Sequence, residues 1–115
     1  MIPPKVRDLV WTRANSCCER CGQGLTKQSP HSVHHRKLRS RGGTDHISNL
    51  VLLCGSGVTG CHGLVHSRQL EAHADGWLIA TYEDPQFLGI THWSGELRVL
   101  LPDGSYGEIV WNEAS

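Results

Sequence analysis

The sequence predicts a small α+β domain stapled by a metal ion, and three observations lead there. The chain has 115 residues, of which 38% are hydrophobic, a composition that favours a modest core supported by a staple. Its five cysteines, Cys17, Cys18, Cys21, Cys54 and Cys61, are odd in number and clustered, unlike a disulfide framework. Helical periodicity near the amino terminus gives way to short apolar runs bounded by turn residues, the pattern of mixed helix and strand. The length suits one domain over 1–115, divided into an N-terminal helix (1–17), a metal-stapled core (18–76) and a strand-rich extension (77–115).

Each element has a local reason. Pro3-Pro4 opens a helix, and from Lys5 to about Asn15 the residues Val6, Leu9, Val10 and Arg13 fall at helical spacing, with Arg7 and Trp11 towards the other side. A turn around Cys18-Glu19-Arg20-Cys21-Gly22 follows, then a loop over 25–32. Ser32–Arg36 reads as a short strand, and Lys37–Ser48 as a loop by its Ser, Gly, Thr and Asp content. Asn49–Leu53 is a continuous apolar strand, and Cys54–Cys61 a Gly-rich loop closed by two thiols. His62 to about Ala74 reads as a helix capped by Gly76, although Leu64, Val65 and Leu70 make no clean stripe. In the tail, apolar runs at 77–82, 88–93, 97–101 and 106–111 are separated by Asp84-Pro85, Ser94-Gly95 and Pro102-Asp103-Gly104. They predict two or more antiparallel strands, with Trp77, Trp93 and Trp111 as packing residues.

The formal net charge is zero, with 11 basic and 11 acidic side chains, but the zero is a cancellation. Residues 1–41 hold nine of the Lys and Arg residues against Asp8 and Glu19 alone, whereas 42–115 hold Arg68 and Arg98 against nine acids. A bipolar surface is expected, basic around the functional site for phosphates and acidic in the tail. No stretch approaches the roughly 18 apolar residues of a membrane span. The Met1-Ile2-Pro3-Pro4-Lys5 start has no apolar leader segment, so a reducing cytoplasm is expected, where paired thiols bind zinc.

Two ligand constellations follow. Cys18 and Cys21, two residues apart, bite one ion from a single turn, and Cys54 with Cys61 completes a tetrahedral structural zinc site. Their six-residue spacing is wide, and Gly55, Gly57 and Gly60 let the backbone fold back. Cys17 is a spare or packing residue. His62 and His66, at i and i+4, share one helix face. His34 and His35 neighbour each other on a strand, so they point to opposite faces and one can join the helix pair at a metal. Asn49 offers an amide able to fix a neighbouring ring or loop.

The segment 18–66 resembles the HNH endonucleases, also called ββα-metal or His-Me finger nucleases. The resemblance rests on Cys18-x-x-Cys21, Val33-His34-His35-Arg36, Arg39-Ser40-Arg41-Gly42-Gly43-Thr44-Asp45, Asn49-Leu50-Val51-Leu52-Leu53-Cys54 and Cys61-His62-x-x-x-His66. The looped Cys54–Cys61 form is similar to small bacteriophage and prophage proteins of this type. What the resemblance implies is a ββα-metal core in which His35 is the general base that activates water and His34 a metal ligand. Asn49 would support the base and the interstrand loop, and His62 would lie at the metal. His66 has a counterpart in one branch of the family, as a further ligand, and the four cysteines match the structural zinc knuckle. The resemblance further implies one catalytic divalent metal (Mg2+, Mn2+, Ni2+ or Zn2+), a 5′-phosphate product, a bacterial host cytoplasm, and a role beside phage terminase in DNA packaging.

The chemistry agrees. A cation at a phosphodiester stabilises charge on the leaving oxygen, and an imidazole free of metal takes the water's proton near neutral pH. Arg36, Lys37, Arg39 and Arg41 follow the base and are expected to contact phosphates, which position substrate without reading sequence. The expected function is a metal-dependent DNA endonuclease of low sequence specificity, acting as a monomer or weak dimer. Two alternatives are a non-catalytic zinc-stapled nucleic-acid-binding module, which would need neither His35 nor Asn49, and a dimeric sequence-specific restriction or homing nuclease. RNA is a further possible target.

Overall fold

A computed structural model of the chain describes residues 1–108. Its elements are α1 (Pro4–Ala14), β1 (His31–His35), β2 (Leu50–Cys54), α2 (Gly60–Ser67), α3 (Gln69–Ala74), β3 (Ile90–Thr91), β4 (Leu97–Leu100) and β5 (Tyr106–Glu108). The fold is α+β, as the sequence predicts. β1 and β2 form an antiparallel hairpin in which His34 faces Val51 and His35 faces Leu50 across the ladder. β3, β4 and β5 make a second antiparallel sheet in that order. Every residue of β2 is buried, because α1 and α2 both pack against it. A strand covered on two sides reads as an unbroken apolar run, which Leu50–Leu53 is.

α1 begins at the second proline and ends where Asn15 enters the left-handed region at φ 54°. Its buried face is rotated from the one periodicity suggests. Val10, Trp11, Arg13 and Ala14 are buried, whereas Leu9 is exposed. Trp11 turns inward because His31 meets its ring edge-on at 4.9 Å, while the Lys27 ammonium lies 4.2 Å from its centroid.

Arg13 is inward for a different reason. Its guanidinium forks onto the Glu19 carboxylate, Nε to Oε2 at 3.1 Å and Nη2 to Oε1 at 2.8 Å, and also donates to the carbonyls of Ile47 and Leu50. Glu19 accepts the Leu52 amide at 2.8 Å and the Tyr106 hydroxyl. This buried network ties α1, the Cys18–Cys21 turn, β2 and β5 together. Its saturation by hydrogen bonds is what makes the buried charges tolerable.

The predicted helix over 62–74 is two helices. Arg68 breaks it, at φ −119° and ψ 63°, and the missing apolar stripe has its explanation in Leu70, which is 91% exposed. In the tail, 77–82 is not a strand. Trp77, Leu78 and Ile79 are nevertheless buried, and the Ile79 amide donates to the Arg36 carbonyl at 2.8 Å. Of the three tail tryptophans, Trp77 packs in the core. Trp93 is half-exposed, its ring close over Gly22, and Trp111 lies outside the described residues. No helix among the described residues is long and apolar enough to cross a membrane.

Candidate metal centres and active site

The sulfurs of Cys18, Cys21, Cys54 and Cys61 lie within 4.8 Å of one another. Cys21 Sγ and Cys54 Sγ are 3.7 Å apart, against roughly 3.8 Å for the edge of a tetrahedron with metal–sulfur bonds of about 2.3 Å. The hydrogen bond from Cys61 brings Cys18 down to about 4, and the same contact drives Cys61 up. A thiolate already favoured among four convergent sulfurs is the donor set a zinc ion takes. The Arg20 guanidinium donates to Cys61 Sγ at 3.3 Å, which offsets negative charge in a tetrathiolate. Cys17 stands outside the cluster, its thiol on the Asn15 carbonyl.

This knuckle anchors the second cluster. Cys54 ends β2, and Cys61 sits in the first turn of α2, so the next residue, His62, has its position set by the sulfur cluster. His66 follows one turn later, with its Nε2 3.0 Å from His62 Nε2. From β1, His34 closes the group: its ring centroid is 5.2 Å from that of His62 and 5.5 Å from that of His66. One ligand nitrogen from each of the three rings lies within 4.8 Å of the others.

The protonation states suit a cation. His34 Nε2 is 2.9 Å from the Trp77 carbonyl oxygen. That oxygen can only accept, so Nε2 carries the proton and Nδ1 keeps a lone pair. Burial pushes the His34 imidazole down to about 3, with the neighbouring His62 and His66 acting the same way. Burial also lowers His62. Its Nδ1 is enclosed without a hydrogen-bond partner. Three imidazoles with convergent nitrogens are a donor set that suits a borderline divalent metal.

His35 points elsewhere. Its Nε2 is 2.8 Å from Asp45 Oδ1, and Arg39 donates to the same oxygen at 2.7 Å. The hydrogen bond from His35, with Arg39 adding to it, holds the Asp45 carboxyl below its usual range. Asn49 does not bond the His35 ring. Its Oδ1 accepts the Lys37 amide at 2.7 Å, and its Nδ2 donates to the carbonyls of Lys37 and Thr44 at 3.0 and 2.9 Å. The side chain therefore closes the 37–44 loop, and it reaches His35 only through Asp45, the residue after Thr44.

The four basic residues separate. Arg36, expected at phosphate, is fully buried, and its guanidinium donates to the carbonyls of Ser48, Gly76, Pro85, Leu88 and Gly89 at 2.7–3.3 Å. A cation enclosed by five carbonyls has no face left for a phosphate; it docks the 76–89 segment onto the hairpin. Arg39 is exposed and paired with Asp45. Arg41 and Lys37 are half-buried, with Arg41 donating to the Ile79 carbonyl at 3.3 Å.

Sequence reasoning missed Asp45, the Arg13–Glu19–Tyr106 network and the Trp77 carbonyl. Asp45 had a signal: it is the sole acid between Glu19 and Glu71, set in the loop beside the proposed base. The other two depend on long-range contacts that leave no local pattern.

Comparison with known proteins identifies one relationship. Residues 18–68 match the family model described as HNH endonuclease. No curated protein and no solved structure gives a significant match to the chain.

Proposed function

We propose, from the match of residues 18–68 to the HNH endonuclease family model, that the chain is a metal-dependent DNA endonuclease with little sequence preference of its own. One observation carries the reading. Three imidazoles converge from β1 and α2, and the neighbouring His35 is turned aside with one nitrogen committed to a carboxylate. A nucleic-acid-binding module needs no such split between a ligand set and a free base.

His34, through Nδ1, together with His62 and His66 would hold the divalent ion. When bound, that ion supplies charge neutralisation at the scissile phosphate and at its leaving oxygen. Asp45 is ionised and can only accept, so His35 Nε2 is the donor and Nδ1 is the basic atom. His35 Nδ1 takes a proton from water, and the hydroxide oxygen attacks phosphorus as the bond to the 3′-oxygen breaks. The electron pair leaves on that oxygen, which takes its proton from solvent. The products are a 5′-phosphate and a 3′-hydroxyl. Cys18, Cys21, Cys54 and Cys61 would hold a structural zinc, which would fix α2 against β2. Lys37 and Arg41 would contact phosphate, and a protein partner such as a phage terminase would supply the site selection.

The test is supercoiled plasmid incubated with the purified protein and Mg2+, Mn2+, Ni2+, Zn2+ or chelator, with an RNA of similar length alongside. Nicked or linear DNA with at least one metal and none with chelator is expected. Intact plasmid under every metal would overturn the enzyme reading, and cleavage of the RNA alone would overturn the DNA assignment.

A further inference from the structure

We propose that Asp45 is the positioning residue of the active site: it fixes the tautomer and the ring orientation of His35, and Arg39 braces it in place. This rests on the nuclease reading above.

The geometry is specific. Asp45 Oδ1 takes two hydrogen bonds at once, from His35 Nε2 at 2.8 Å and from Arg39 Nη2 at 2.7 Å. A carboxylate cannot donate, so this contact selects the His35 tautomer with the proton on Nε2 and leaves the lone pair on Nδ1. A base without such a partner divides its population between two tautomers and several ring rotations, and only one of these can accept a proton from the attacking water.

The loop is shaped to bring this carboxylate back to the strand. Gly42 sits at φ +88°, and a Cβ on Gly43 would overlap the Lys37 carbonyl oxygen. Side chains are thus excluded at Gly43 by the tight return of the chain. Asn49 then clamps both ends of the turn, holding Lys37 by its N–H and C=O and Thr44 by its carbonyl. Asn49, Thr44, Asp45 and His35 form a continuous mechanical chain from the residue before β2 to the proposed base. The amide of Asn49 acts on the base through this chain, not by touching it.

Arg39 has its own part. A bare carboxylate next to the site would repel the phosphodiester, and a guanidinium 2.7 Å away neutralises it. This assigns Arg39 to Asp45 rather than to substrate. During the reaction the proton moves from water to His35 Nδ1. The Nε2 proton stays on the ring, bonded to Asp45, and the carboxylate stabilises the imidazolium without taking a proton.

The test uses the full chain loaded with whichever metal supports cutting, and compares wild type with Asp45→Ala, Asp45→Asn and Asp45→Glu. Asp45→Ala and Asp45→Asn are expected to lower kcat about 10–100-fold, the usual cost of losing a residue that orients a catalytic group. KM for plasmid and zinc content should stay within about twofold, and Asp45→Glu should recover part of the loss. Side-chain 15N NMR of His35 supplies a readout independent of cutting: Nε2–H alone in wild type, a mixture of tautomers in Asp45→Ala. Wild-type kcat in Asp45→Ala, or an unchanged tautomer, overturns the proposal. If wild type does not cut at all, the nuclease reading fails, and the NMR spectra still decide whether Asp45 sets the ring.

Discussion

Arg36 shows how differently two adjacent cations of one basic run are used. Four basic side chains in six residues look alike in sequence, and nothing local marks the one that goes inside. Its fate depends on carbonyls 40 and more residues away, those of Gly76, Pro85, Leu88 and Gly89. Burial pulls the guanidinium down to about 9, which leaves it charged at neutral pH. Arg36→Ala strands several buried carbonyls and is expected to cost about 3 kcal/mol or more of stability, read as a lower urea midpoint. Unchanged stability with weakened DNA binding would instead return Arg36 to the phosphate-contacting set. The two clusters were legible because chemistry restricts them: few residue types bind metal, and Cys18-x-x-Cys21 and His62-x-x-x-His66 are the spacings that a turn and a helix allow.

At the level of elements, the sulfur cluster and the histidine cluster share α2. Cys61 and His62 are consecutive, so a perturbation at the first propagates to the second through less than one helical turn. Cys61→Ser is expected to lose the tightly held zinc and, with it, the convergence of His62 and His66 on His34. Cys17→Ser should retain one zinc per chain and full helicity. Metal analysis with far-ultraviolet circular dichroism separates the two, and zinc loss in Cys17→Ser would contradict the assignment of the four ligands. The hairpin and the first helix were legible because β2 is a continuous apolar run and α1 starts at a proline pair. The break at Arg68 was not, since the segment 62–74 has a mixed pattern that suits one helix or two. Gly43→Ala is a test of the loop: plasmid nicking should fall sharply while zinc content stays at one per chain.

Over the whole molecule, the Arg13–Glu19–Tyr106 network joins the amino-terminal helix, the knuckle and the last described strand. Burial and the Glu19 carboxylate push the Tyr106 hydroxyl up, so it stays a donor at any working pH. Tyr106→Phe removes a charge-assisted hydrogen bond and is expected to cost about 1.5–3 kcal/mol. Burial also fixes the pH response. His34, His62 and His92 are all held below the ordinary imidazole range by burial first. Above that range both native and unfolded chains are neutral at these positions. As pH falls through about 6.5, the unfolded chain takes up protons that the native one refuses, so stability drops by up to about 1.4 kcal/mol per pH unit for each group. For His34 the loss continues to about pH 3, its folded value. A thermal midpoint lower at pH 5.5 than at pH 7 is expected; equal midpoints would contradict the neutral burial of these rings. Charge is segregated along the chain, yet pairing decides what that charge does. Of the four cations after His35, Arg36 is enclosed and Arg39 is paired with Asp45, so the proposed phosphate contacts narrow to Lys37 and Arg41.

His35 is proposed as the base of a metal-dependent nuclease, distinct from the histidine cluster that would hold the metal. Plasmid nicking by His35→Ala, with zinc content and thermal midpoint measured on the same sample, tests it most directly. A fall in nicking rate of about 100-fold or more is expected, with one zinc retained and the fold intact. Wild-type nicking by His35→Ala would contradict it.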